Sequence, residues 1–241
     1  KVEKAINYFT KAVVLNPNDA GTHYNFGVAL SDFKRPDPAI KNYLKAISIN
    51  PTFPQANANL AKIYLQKKQY YNAISYLKKS LAFYPNYLLA HSILAETLNE
   101  IGDTVSSNSS YMNVLRLDPK NIGAHINLGK SYIALGDFNR AKELFKKGCI
   151  FDPSHSILYN NLGVVEGYLG CFINTIAAFQ KSIKLNPTDA KTYANLGDLH
   201  RRIGNLEVAL KYLNHSLKLE PNEVETYNRI GRVFEKQGFC E

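Results

Sequence analysis

The chain has 241 residues, 45% of them hydrophobic, and carries 29 Lys and Arg against 20 Asp and Glu, a net charge of +9. No apolar stretch approaches the roughly 20 residues that a membrane-spanning helix needs, and no basic run exceeds two residues, so the charge reads as a solvated surface and direct nucleic-acid binding is not expected. Cys149, Cys171 and Cys240 are an odd number with no pair at metal-ligand or redox-motif spacing, which argues against a disulfide framework or a zinc site and for a reducing, cytoplasmic or otherwise intracellular setting.

Internal repetition organises everything else. Pro17, Pro51, Pro85, Pro119, Pro153, Pro187 and Pro221 stand 34 residues apart. In chain order, residues 1–19 hold a helix over about Val2 to Leu15, the second helix of a truncated repeat. Six full periods follow, at 20–53, 54–87, 88–121, 122–155, 156–189 and 190–223, each with two helices. Residues 224–241 begin with the first helix of a further truncated repeat, about Val224 to Gln237, so about fourteen helices are expected. The chain starts and stops inside repeats with no polar helix over Ile230 and Phe234, and an excerpt of a longer protein is expected on that ground.

Within each period the same places recur. Ten residues after the proline stands a small residue (Gly27, Ala61, Ala95, Gly129, Gly163, Gly197, Gly231), where two helices must approach closely. Twelve residues further comes a second, usually small one (Ala39, Ala73, Ser107, Ala141, Thr175, Ala209). Four after that is a large one (Tyr43, Leu77, Tyr111, Phe145, Phe179, Leu213), at the spacing of one helix face. Gly102, Gly136, Gly170, Gly204 and Gly238 sit between the two helices of their repeats, where a residue able to adopt positive φ ends a helix. The proline then breaks the second helix. In the third period the second helix opens Thr104, Val105, Ser106, Ser107, Asn108, Ser109, Ser110, a run that favours caps and turns and predicts a local weak point.

A 34-residue period with these proline, small and aromatic places resembles the tetratricopeptide-repeat (TPR) superfamily over the whole chain. The resemblance implies an all-α fold: a right-handed superhelical α-solenoid of tandem helix-turn-helix repeats. The family's usual tryptophan near the start of the first helix is replaced by His23, Asn57, His91, His125, Tyr159, Tyr193 and Tyr227. The resemblance also implies that the first helices line an inner groove, the default place for a protein or peptide partner.

Eight residues past each proline stand Asn25, Asn59, Ile93, Asn127, Asn161, Asn195 and Arg229. A carboxamide both donates and accepts, so such a row can pair with the backbone of an extended peptide whatever its side chains, or bond within its own scaffold. Eleven residues past each proline the side chain varies: Val28, Lys62, Glu96, Lys130, Val164, Asp198, Arg232. A constant amide beside a variable neighbour suggests a general grip with local selectivity. The candidate partner-binding residues are therefore Asn25, Asn59, Asn127, Asn161, Asn195, Lys62, Lys130 and Arg229. The second period, with Lys62, Lys67, Lys68, Lys78 and Lys79 and no acid, could meet an acidic partner.

The asparagine row also resembles the substrate-recruiting arm of O-linked N-acetylglucosamine transferases, with Pro51 to Ala61, PTFPQANANLA, as the closest local match. An arm of such an enzyme is the alternative to an interaction scaffold within a larger assembly. The two-carboxylate clamp of the family's co-chaperone subgroup is not matched: its first lysine place holds Tyr24, Ala58, Ser92, Ile126, Asn160, Ala194 or Asn228. No catalytic residues, cofactor or metal are expected within this segment. His23, His91 and His125 occupy a core-facing place, and no Cys, Ser or carboxylate recurs beside a histidine at nucleophile or metal spacing.

Overall fold

A computed structural model describes residues 2–238; Cys240 lies outside the described residues. All the regular structure described is α-helical, and the chain divides into two compact units, Lys1–Pro119 and Lys120–Glu241. Unit 1 contains α1 (Val2–Leu15), α2 (Ala20–Asp32), α3 (Pro36–Ile49), α4 (Pro54–Gln66), α5 (Tyr70–Phe83), α6 (Leu88–Glu100) and α7 (Thr104–Leu117). Unit 2 contains α8 (Ile122–Ala134), α9 (Phe138–Phe151), α10 (Ser156–Tyr168), α11 (Phe172–Leu185), α12 (Ala190–Arg202), α13 (Leu206–Leu219) and α14 (Val224–Lys236). In each unit the even-numbered helix packs most closely on the odd-numbered one after it, α2 on α3 or α10 on α11, except α14, which packs on α13 and α12. The pairs then stack: α3 on α4 and α5 on α6 in unit 1, α9 on α10 and α11 on α12 in unit 2.

Local chemistry explains the hairpins. The turn within each pair is made by one residue at positive φ, and these residues keep the 34-residue period: Lys34, Lys68, Gly102, Gly136, Gly170 and Gly204, with Gly238 at the same place after α14. Around them the helix ends in the six-to-one bond that satisfies an orphan carbonyl, as from Asp103 N to Leu98 O (2.9 Å) and Asp137 N to Tyr132 O (2.9 Å). The sequence places glycine at five of these turns; Lys34 and Lys68, at φ 57° and 58°, take the left-handed conformation without it. The next helix is often capped by a side chain: Asp103 Oδ1 accepts from Ser106 N and Asp137 Oδ1 from Arg140 N, both at 3.1 Å.

The recurring small and large places interlock. A Cβ added to Gly129 would stand 2.6 Å from the Phe145 ring, and one added to Gly163 would stand 2.6 Å from Phe179. The ring of the second helix therefore lies directly on the backbone of the first, a contact that only glycine allows at this separation. At the place of the missing tryptophan, a polar group reaches back to the carbonyl of its repeat's own proline. His91 Nε2 donates to Pro85 O (2.8 Å), Asn57 Nδ2 to Pro51 O (3.4 Å) and Tyr227 Oη to Pro221 O (3.1 Å), while His23 Nε2 lies 3.1 Å from Pro17 O. His23, His91 and His125 are buried, as their spacing predicts.

The serine-rich start of α7 is helical, and its side chains find local acceptors. Ser107 Oγ donates to Ala95 O (2.9 Å) and Ser110 Oγ to Ser106 O (3.0 Å). The buried residues of α7 are Ser107, Asn108, Ser110, Tyr111 and Val114, so much of what this helix buries is polar.

Candidate partner-binding clefts

Each unit holds a cleft beside its even-numbered helices. In unit 1 a cleft of about 280 Å³ lies between α2 and α4, with Tyr43 of α3 at its base. Its walls are Val28, Ser31 and Asp32 on one side and Asn59, Lys62, Ile63 and Gln66 on the other. Burial raises the Tyr43 phenol far above its ordinary value, so that it stays a neutral hydrogen-bonding group. Asn59 Nδ2 donates to Tyr24 Oη (3.3 Å), tying α4 to α2.

In unit 2 a cleft of about 250 Å³ lies against α10 and α12, with Thr175 and Phe179 of α11 behind it and Arg229 of α14 at its edge. Gly163, Val164, Gly167 and Tyr168 form one wall; Asn195, Asp198, Leu199 and Arg202 form the other. The two clefts are built at equivalent places, because Val28 and Val164, Tyr43 and Phe179, and Asn59 and Asn195 are each four periods apart.

A hydrogen-bonded ladder crosses unit 2. Arg229 Nη1 donates to Asn195 Oδ1 (3.2 Å), Asn195 Nδ2 donates to Asn160 Oδ1 (3.1 Å), and Arg229 Nε lies 3.5 Å from Glu225 Oε1. Asp198 is held by Arg201, with Nε and Nη2 at 2.8 and 2.7 Å from the same carboxylate oxygen. The Arg202 guanidinium lies over the Phe172 ring, 5.8 Å from its centroid, and Nη1 approaches to 4.0 Å from where a Gly167 Cβ would be.

The structure brings Asn59 and Lys62 together in the unit 1 cleft and Asn195 and Arg229 together in the unit 2 cleft. Asn25 on α2 is exposed, as are Asn127 and Lys130, one turn apart on α8; none of the three lines either cleft. Asn161 is only 8% exposed, and its Nδ2 has no hydrogen-bond partner. The periodicity explains why. Asn59 and Asn195 donate to the residue before the equivalent amide of the preceding repeat, Tyr24 and Asn160, whereas Asn161 would meet Ile126 there. Sequence reasoning missed Asn160, Tyr168 and Arg202. Tyr168 and Arg202 are the fifteenth residues after their prolines, on the same helix face as the eighth and eleventh, so spacing alone could have named them.

Other reactive groups are spoken for by the fold. Burial pushes the Cys149 thiol up to about 11, which makes it a small apolar group at neutral pH. Glu166, 2% exposed, pairs with Lys142 Nζ at 2.9 Å, and this hydrogen bond raises the lysine above its ordinary value. Among the described residues no three His, Cys, Asp or Glu cluster as a metal site would require, and no helix is long and apolar enough to cross a membrane.

Comparison with known proteins agrees with this fold. Four tetratricopeptide-repeat family models match, over residues 37–68, 54–87, 122–155 and 154–222. No curated protein sequence matches the chain. Among solved structures, similar folds occur in a tetratricopeptide repeat protein from Parabacteroides merdae (TM-score 0.74, 17% identity, covering 91% of this chain and 87% of that one). MamA from Desulfovibrio magneticus is also similar (TM-score 0.66, 20% identity, 71% and 97%). So is a chain of the APC/C hetero-tetramer Cut9–Hcn1 (TM-score 0.67, 18% identity, 97% of this chain), of whose length the present chain spans only 46%. With its 34-residue period, its glycine-on-ring hairpins and family matches in both units, the chain belongs to the tetratricopeptide-repeat superfamily.

Proposed function

We propose that this chain is a protein-interaction scaffold, and that its even-numbered helices hold an extended segment of a partner protein. The observation that carries this reading is the recurrence of one cleft design in both units. Each has an aromatic base (Tyr43, Phe179), an amide on its wall (Asn59, Asn195), and changed residues three and seven positions after that amide: Lys62 and Gln66 in one, Asp198 and Arg202 in the other. A shared amide suits the invariant backbone of an extended ligand, and the altered neighbours suit its side chains. The Cut9–Hcn1 fold likeness fits a place within a larger assembly, since that chain was solved as part of a hetero-tetramer.

The test is direct binding of extended peptides, acetylated and amidated at their ends, presented as a positional-scanning library to the 241-residue chain. Hits from the library are expected to weaken by about 0.5–1.5 kcal/mol when Asn59 or Asn195 becomes alanine, and to weaken on N-methylation of the peptide backbone. Peptides whose affinity ignores both alanine substitutions would refute the cleft reading.

A further inference from the structure

The two clefts differ in charge, and the difference selects a ligand for unit 2. We infer that the unit 2 cleft receives the carboxylate of an internal Asp or Glu side chain of the partner segment, with Arg202 as its principal donor and Arg229 as the second. This rests on the proposed scaffold function, which supplies the extended segment.

The argument begins with the ionised groups that line the cleft. Asp198 is neutralised by Arg201, whose two nitrogens both meet one carboxylate oxygen. Arg229 faces Glu225 at 3.5 Å. Arg202 has no ion pair among the described residues, although its guanidinium is positioned by the Phe172 ring and by the missing side chain of Gly167. The lining therefore carries one positive charge in excess, beside an apolar floor of Val164, Leu199 and Phe179. A guanidinium presents its donors in a planar fork that matches a carboxylate, and Arg202 is exposed, so that its donors are open to a ligand.

The excess of one charge fits a single carboxylate better than a doubly charged group. Arg229 is held in place for the second contact: its Nη1 is fixed by Asn195 Oδ1, and Asn195 is itself anchored to buried Asn160, while Nη2 makes none of these bonds. The unit 1 cleft lacks the feature. Gln66 stands where Arg202 stands, and Lys62 and Asp32 line the same cleft with opposite charges. A side chain, not a chain terminus, is the source, because an extended segment held along α8, α10 and α12 of unit 2 runs through the cleft instead of ending in it.

The experiment uses the same library of end-blocked peptides with the full chain, read as residue preference at each position. Wild type is expected to favour Asp or Glu at one position, and the best acid-bearing peptide to lose about tenfold in affinity on replacing that acid by its amide. Arg202→Glu is expected to invert the preference toward Lys or Arg at that position, a change that lost packing cannot produce. Arg202→Gln should remove the acidic preference without creating a basic one. Binding with no acidic preference, a preference that survives Arg202→Glu, or a stronger preference for phosphoserine than for Asp would overturn this inference and leave the scaffold function standing. Absence of peptide binding altogether would overturn both.

Discussion

The clefts of units 1 and 2 share a frame and differ in chemistry. Ser31 and Asp32 of the first correspond to Gly167 and Tyr168 of the second, Lys62 to Asp198, and Gln66 to Arg202, while the aromatic base and the wall amide persist. The frame is set by packing, because Tyr43 and Phe179 are the rings that close on Gly27 and Gly163. The variable residues touch no such constraint. Position is thus determined by the repeat, and the chemistry of the cleft wall by what each repeat adds. The same contrast runs through the cores: unit 2 carries Glu166 and Lys142 where unit 1 has Leu30 and Ile6, and glycine turns where unit 1 has two lysines.

The largest expected effect comes from removing the shared frame. Phe179→Ala and Tyr43→Ala each leave a cavity under a cleft, and each should destabilise its own unit by about 3–5 kcal/mol. Hydrogen exchange resolved by unit is the measurement. Gly163→Ala should cost about 1–3 kcal/mol through overpacking against the Phe179 ring. It should cost nearly nothing in the Phe179→Ala background, where the ring is gone. Additive effects would show that ring and glycine do not act as one contact.

Next in size is the ion pair. Lys142→Met leaves the Glu166 carboxylate buried without its partner, at a cost of about 2 kcal/mol, below that of a fully buried pair because the lysine is partly exposed. The double change Lys142→Ile with Glu166→Leu reproduces the unit 1 pair and is expected to be neutral or stabilising in denaturant titration. The raised lysine gives the sign with pH. Its contribution is complete below the ordinary value of 10.5 and is lost only as alkali carries pH through the raised one.

The turns supply a smaller test in the opposite direction. Lys34 and Lys68 hold positive φ with a side chain attached, whereas unit 2 places glycine at all of its equivalent turns. Lys68→Gly should stabilise unit 1 by about 1 kcal/mol, the left-handed strain relieved less the entropy glycine adds to the unfolded chain. Gly136→Lys should cost a comparable amount. Equal melting of Lys68→Gly and wild type would mean that the surrounding bonds, such as Gln69 N to Tyr64 O at 2.8 Å, already offset the strain.

The fold was legible in the sequence because solenoid packing repeats, and each repeat restates the same steric demand at the same spacing. Proline, small residue and large residue could be read seven, seven and six times. The candidate site was less legible. The asparagine row is regular in sequence, yet Asn127 is exposed, Asn161 is buried without a partner for its amide nitrogen, and Asn59 and Asn195 bond to neighbouring helices. What an amide at this place does depends on the residue one repeat earlier, Tyr24, Ile126 or Asn160, and reading one position at a time cannot see that pairing. In PTFPQANANLA, likewise, Asn57 bonds to the carbonyls of Pro51 and Phe53, so an amide of that segment serves the scaffold. Arg202 was overlooked because its place does not repeat in chemistry, although it does in geometry.

The smallest effect should be a pH dependence in unit 2. His200 of α12 stacks on Tyr212 of α13, with centroids 5.5 Å apart, exactly four periods after Tyr64 stacks on Tyr76 in unit 1. Burial lowers the His200 imidazole below its ordinary value of 6.5, and its Nδ1 has no hydrogen-bond partner to welcome a second proton. In the unfolded chain the ring protonates at the ordinary value. Between the two values the unfolded state therefore binds more protons, so stability is full above pH 6.5 and falls as acid carries the pH down toward the depressed value. The loss is small because the ring is only partly buried. In the unit 1 stack, burial raises the Tyr76 phenol above its ordinary value, still further from this range. His200→Tyr makes the unit 2 stack match that of unit 1, and it is expected to flatten the dependence of melting temperature between about pH 5 and 6.5 without lowering stability at about pH 8. A slope unchanged by His200→Tyr would assign the proton uptake to another group.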